Sequence, residues 1–211
     1  MKNKEKYNQK LLVEGKDDTH VIWALCENFD VYQNFDVVDC EGISNLFNII
    51  PVRLKQSELK SLAIIIDADL NIEERWKELR NIFENSHYTL PSVLPASGLI
   101  HEENDRKIGV WLMPNNDIKG MLEDFVKFLI PENNNLKEIT ERTLNELEKN
   151  QYNLYNKDLH RTKAFIHTWL AWQETPGTPM GLAITKKYLS TEDSEICIRF
   201  IEWLKMTFKD D

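Results

Sequence analysis

The stretch SLAIIIDADL, residues 61–70, decides how the chain is read. Leu62 to Ile66 is an unbroken apolar run, too short for a helix of its own and rich in isoleucine. That is the signature of a central parallel strand buried on both faces. The run ends abruptly on Asp67-Ala68-Asp69. Upstream, LLVEG at 11–15 is a second apolar run ending on a charge, and predicts a strand over 10–14 closed by Gly15. Val21, Ile22, Leu25, Cys26 and Phe29 then recur at helical spacing, with Asp17 or Asp18 placed to cap the helix, Asp17 the preferred cap. NFDVVDCEG predicts a strand near 35–39 and a helix from about Ser44.

Downstream, IEERWKELRNIF reads as an amphipathic helix, LPSVLPASG as turns, and KIGVWLMP at 107–114 as another strand. DIKGMLEDFVKFLIP follows as a helix with Met121, Leu122, Phe125, Val126 and Leu129 inward. Alternating strands and helices predict an α/β fold with a mostly parallel sheet flanked by helices. Beyond PENNN at 131–135 the patterns are helical, broken once by TPGTPMG at 175–181. The expected organisation is an α/β core over 1–131 and a helical C-terminal extension over 132–211 packed on it.

The chain has 211 residues and a net charge of −9, which argues against gripping nucleic acid through bulk positive charge but not against a local basic groove. No apolar stretch is long enough to span a membrane, and MKNKEKYNQK lacks an apolar signal core; a cytoplasmic protein is expected. Cys26, Cys40 and Cys197 form no CxxC pair and no zinc-ligand spacing, and read as buried thiols.

In an open parallel sheet, ligands bind beyond the C-terminal ends of the strands. Glu14, Asp67 and Asp69 fall at that edge, and Glu123 and Asp124 lie close to it in the helix after KIGVWLMP. Spaced two apart in extended chain, Asp67 and Asp69 share a side. Carboxylates that converge repel one another; a hard divalent cation, Mg²⁺ or Mn²⁺, removes that penalty. An aspartate at a strand end is more often a turn or cap residue. Glu14, closing a buried strand, has no such role.

VEGKDD at 13–18, followed by IIIDAD at 64–69, resembles the Toprim domain of topoisomerases, bacterial primases and OLD-family nucleases, a Rossmann-like fold. GVWLMPNNDIKGMLEDF at 109–125 and KAFIHTWLAWQETPGTPMGLAI at 163–184 further resemble a group of small Toprim-like bacterial proteins, the DUF3226 group. The resemblance implies that Glu14 is a metal ligand or general acid/base and that Asp67 and Asp69 are metal ligands. Asp18, four positions after the glutamate, joins the metal site in OLD-type nucleases; Glu123, then Asp124, is the candidate for a further ligand. The chain is too short for a topoisomerase, lacks the zinc module of primases, and contains no GxxxxGK followed by Ser or Thr. A stand-alone unit remains, with a partner ATPase or self-association left open.

The chemistry implied is Mg²⁺-dependent hydrolysis of nucleic-acid phosphodiesters. Lys163 and Lys16 are candidate cations for the transition state. His160, Arg161 and Lys163 on one helix, and Lys186 and Lys187 beside Tyr188, are candidates for contacts to a phosphate backbone. Trp169 and Trp172 have the spacing of a stacking platform, although core packing is the favoured reading; His167 on the same helix is expected to be buried and hydrogen-bonded. Two other functions fit: a binding or regulatory module that does not cut, and a haloacid-dehalogenase-type phosphatase with Asp67 as nucleophile. The second leaves Glu14 unexplained and finds Asn71 where that family has Thr or Val.

Overall fold

The computed structural model describes residues 5–209; the first four residues of the basic N-terminal stretch and residues 210–211 lie outside that range. In chain order the elements are β1 (Gln9–Val13), α1 (Lys16–Asn28), β2 (Asp36–Asp39), α2 (Ile43–Leu54), β3 (Ser61–Asp67), α3 (Ile72–Glu84), β4 (Leu99–Glu103) and β5 (Arg106–Met113). Five further helices follow: α4 (Leu122–Phe128), α5 (Asn135–Lys149), α6 (Lys157–Ala171), α7 (Met180–Thr185) and α8 (Glu195–Thr207). The fold is α/β, with a sheet ordered β2-β1-β3-β5-β4. β2, β1, β3 and β5 run parallel, and β4 pairs antiparallel with β5, Leu99 opposite Val110.

β3 sits in the middle because its side chains satisfy two cores. Ala63 and Ile65 face one side, with Leu11 and Val13 of β1 and Trp111 and Met113 of β5. Leu62, Ile64 and Ile66 face the other, with Leu12, Ile108, Val110 and Leu112. The first face is covered by α1, α4 and the C-terminal helices; α2 and α3 cover the second. The period-2 alternation of apolar residues on both faces explains the continuous run in the sequence. On the first face, Trp111 meets Phe200 edge-on at 5.2 Å and Trp203 at 5.6 Å, which holds α8 across β4 and β5. The Trp203 indole donates to the Leu99 carbonyl at 2.8 Å.

Two local expectations are corrected. LIHEE, passed over between turns and the next strand, forms the edge strand β4. α1 is capped by Asp18 rather than Asp17: Asp18 lies three residues past the N-cap Gly15 and its carboxylate accepts the Gly15 N–H at 3.0 Å, whereas Asp17 points outward. All three cysteines are buried, and burial pushes their thiols up to about 11 for Cys26 and about 12 for Cys40 and Cys197. No helix among the described residues is long and apolar enough to cross a membrane.

Candidate functional site

After β1 the chain moves to β2 on one side, then returns to β3 on the other. Two adjacent parallel strands whose connections diverge leave a crevice beyond their C-terminal ends. Glu14 follows β1 and Asp67 ends β3, so both face that crevice. Glu14 Oε1 accepts the Asp67 N–H at 2.7 Å. Asp67 Oδ1 in turn accepts the N–H of Leu122, the first residue of α4, at 2.9 Å. β5 is the next strand over from β3, so α4 arrives at the same edge and brings Glu123, which is only 4% exposed. Glu123 pairs with Lys163 of α6 at 3.1 Å.

Asp69 leaves the strand with φ of 51°. It exchanges two 2.9 Å backbone hydrogen bonds with Gly120. Gly120 has φ of 144°, and a Cβ there would lie 2.7 Å from the Asp124 carboxylate, so only glycine lets the loop before α4 close onto Asp69. The Asp69 carboxylate forms an ion pair with Arg75 of α3. Arg75 also donates from Nε to the Asp67 carbonyl at 3.1 Å and pairs with Glu78 at 2.9 Å. Asn71, between Asp69 and α3, caps that helix by accepting the N–H groups of Glu73 and Glu74.

Five carboxylates therefore act on one another, since Asp67 lies in the field of Glu14, Asp18, Glu123 and Asp69. Burial and then those charges hold the Asp67 carboxyl well above the usual range. Burial and the Glu14 charge push Asp18 up to about 7, against the hydrogen bond from Gly15. Burial also raises Glu14, opposed by the Asp67 N–H and reinforced by Asp69. Lys163 loses some solvent, which would lower it, but Glu123, Asp17 and Asp67 raise it overall. Desolvation and like-charge repulsion both favour the neutral acids here. The donor set is all carboxylate oxygen, the kind a hard cation prefers. As placed, however, no three His, Cys, Asp or Glu side chains among the described residues form a group that could hold a metal ion. Each carboxylate already engages a backbone N–H, a lysine or an arginine.

The remaining candidates divide. Asp124 turns its carboxylate back to the Met121 N–H at 2.9 Å as an N-terminal cap of α4. Lys16 opens α1 and is exposed. His160 is exposed on α6. Arg161 binds Glu141 at 2.7 Å, Glu148 at 3.0 Å and Asn145 at 2.9 Å, which ties α6 to α5. Lys186 and Lys187 follow α7, and Lys186 donates to Thr175 Oγ1 at 2.7 Å; among the described residues neither pairs with a carboxylate of the cluster. Trp169 is fully buried and donates to Asn134 at 3.2 Å, while Trp172 is 40% exposed. His167, expected to be buried, faces outward: it lies on the opposite side of α6 from Phe165, Ile166 and Trp169.

Arg75 was absent from the expected site. Its signal was its position, one turn into the helix that follows Asp67 and Asp69, on a stretch whose other charges are solvated. No curated protein and no solved structure matches the chain. The family described as "Protein of unknown function (DUF3226)" matches residues 8–209, nearly the whole of the sequence, and the chain belongs to that family.

Proposed function

We propose that this is a Toprim-like, Mg²⁺- or Mn²⁺-dependent enzyme that hydrolyses nucleic-acid phosphodiesters. The observation that carries the reading is the convergence of Glu14, Asp18, Asp67, Asp69 and Glu123 at the C-terminal edge of adjacent parallel strands, where burial and mutual repulsion raise Asp18 and Asp67. Such a cluster costs the fold stability, since burial and like-charge repulsion both oppose ionisation, and shifted acids of this kind gather at functional sites. To hold an ion these carboxylates would have to turn from their present partners, since as placed no three of them form a metal-holding group; an ion bound there would polarise a phosphate oxygen and activate water. The hydrogen bonds from Asp67 to Glu14 and from Leu122 to Asp67 fix two of the carboxylates on rigid backbone. Glu14, raised by burial, is suited to accept a proton from the attacking water. Lys163, half exposed beside Glu123, offers its charge to the phosphate.

A second reading, a module that binds without cutting, draws support from the way each carboxylate is already engaged and no ligand group stands ready. A phosphatase with Asp67 as nucleophile gains nothing comparable: Asp67 Oδ1 is held by the Leu122 N–H, and Glu14 would have no role.

The test is cleavage of mixed DNA and RNA substrates in Mg²⁺ and in Mn²⁺, with Asp67→Ala/Asp69→Ala protein in parallel. Cleavage by the parent that disappears in the variant and in chelator is the expected outcome. If folded parent protein leaves every substrate intact, unaided nuclease action is wrong, and the non-cutting module or a partner-dependent enzyme takes its place.

A further inference from the structure

Two of the five carboxylates are paired with side-chain cations, and the two pairs differ in which partner is free to leave. In the first, the Glu123 side chain is 5% exposed and that of Lys163 50%. The lysine can swing into solvent and leave the carboxylate where it stands, at little cost. The second pair is the reverse: the Arg75 side chain is 15% exposed and that of Asp69 42%.

Arg75 is anchored by groups outside its pair. Its Nε donates to the Asp67 carbonyl at 3.1 Å, its Nη1 donates to Glu78 at 2.9 Å, and its guanidinium lies 5.7 Å from the centre of the Phe47 ring on α2. Nη2 alone reaches Asp69, so losing that carboxylate leaves the other contacts in place. Asp69 is fixed through its backbone, whose N–H and carbonyl both bond to Gly120. Among the described residues its carboxylate accepts a hydrogen bond from Arg75 alone. Rotation about its Cα–Cβ bond is enough to take that carboxylate off the guanidinium, and both Glu14 and Asp67 already lie in its field.

We propose that Arg75 is a resident counter-ion that holds Asp69 away from the metal-binding arrangement, and that a divalent cation enters by taking the Asp69 carboxylate from it while the arginine stays on the Asp67 carbonyl and Phe47. The proposal rests on the cation reading above and adds that Asp69 is the ligand that moves. Arg75 is then a positioning residue that opposes cation binding, whereas an arginine that merely ordered the loop would favour it.

Mn²⁺ alone is the first probe, its free concentration followed by electron paramagnetic resonance, and Mg²⁺ is followed by calorimetric titration. Arg75→Gln removes the charge and keeps an amide that can donate to the Asp67 carbonyl. It should bind both ions about fivefold more tightly than the parent, the upper range for a pair of this exposure. Arg75→Met, which keeps the stem against Phe47, should do the same and replaces the amide variant if that one melts too low to titrate. In an Asp69→Asn background the gain from Arg75→Gln should fall below about twofold, since the pair is no longer there to break. Unchanged or weaker binding in the Arg75 variants would overturn the proposal. So would a full gain in the Asp69→Asn background, which would make Arg75 a repelling charge and nothing more. Binding of neither ion by the parent or by any variant would instead remove the cation reading itself.

Discussion

Asp18 carries two duties that conflict. Its carboxylate caps α1 through Gly15, and the same burial that secures the cap sets it against Glu14 and Glu123. Its folded value of about 7 lies above its ordinary 3.8. Between those values the folded protein binds more protons than the unfolded chain, so stability is greatest in acid and falls as pH rises towards about 7. Asp67 and Glu14 shift in the same direction. In chelator, urea unfolding should show the protein less stable at pH 8 than at pH 5 by roughly 1–3 kcal/mol, the upper end being the two units of the Asp18 shift that lie above pH 5. Asp18→Asn, which keeps an oxygen for the Gly15 N–H, should remove much of that difference, and Mg²⁺ should offset it at pH 8. A stability independent of pH across this interval would refute the linkage. At this scale Glu14 and Asp67 could be picked out in the sequence because an apolar run that ends on a charge needs a reason. Which of two adjacent aspartates caps a helix is settled only by reach, and Arg75 looked like any charge on a solvated helix face.

Elements packed on a continuous apolar run were predictable; those defined by contact were not. β3 and β5 announce themselves through Leu62–Ile66 and through Ile108–Met113. LIHEE carries two glutamates and a histidine, and becomes β4 only because β5 offers it an edge and α8 covers Leu99 through Trp203. α7 is another case. It is six residues long and could not persist alone, but it lies tightly against α1, where a Cβ on Gly181 would come within 2.6 Å of the His20 carbonyl oxygen. Backbone cannot yield as a flexible side chain does. Gly181→Ala should therefore cost about 1–3 kcal/mol by overpacking, measurable by calorimetry as a lower melting temperature. An unchanged melting temperature would mean that α1 and α7 can separate enough to admit a methyl group.

For the molecule as a whole, the change from alternating to purely helical sequence suggested a division at residue 131. The core on one face of the sheet nevertheless draws on both sides of that point: Val13, Ile65 and Trp111 share it with Phe165, Trp169, Phe200 and Trp203. Burial of several large aromatics at about 25 cal/mol per Å² is a large part of the stability of a domain this size. A fragment of residues 1–131 should collapse without a cooperative thermal transition and show poorly dispersed amide resonances. A sharp transition in that fragment would establish the first part as a unit that folds by itself. Net charge, by contrast, was a poor guide to the site, since −9 over the chain does not tell where the carboxylates gather.

The buried cysteines have a practical corollary. At neutral pH a thiol held near 11 or 12 has almost no thiolate, and thiolate is the form that maleimides and oxidants attack. Cys26, Cys40 and Cys197 are the chain's full complement. The folded wild-type protein is thus close to silent towards thiol chemistry, and a single cysteine introduced on the surface becomes its one addressable handle. A spin label or dye attached there would report from that position alone, with no native residue first having to be replaced.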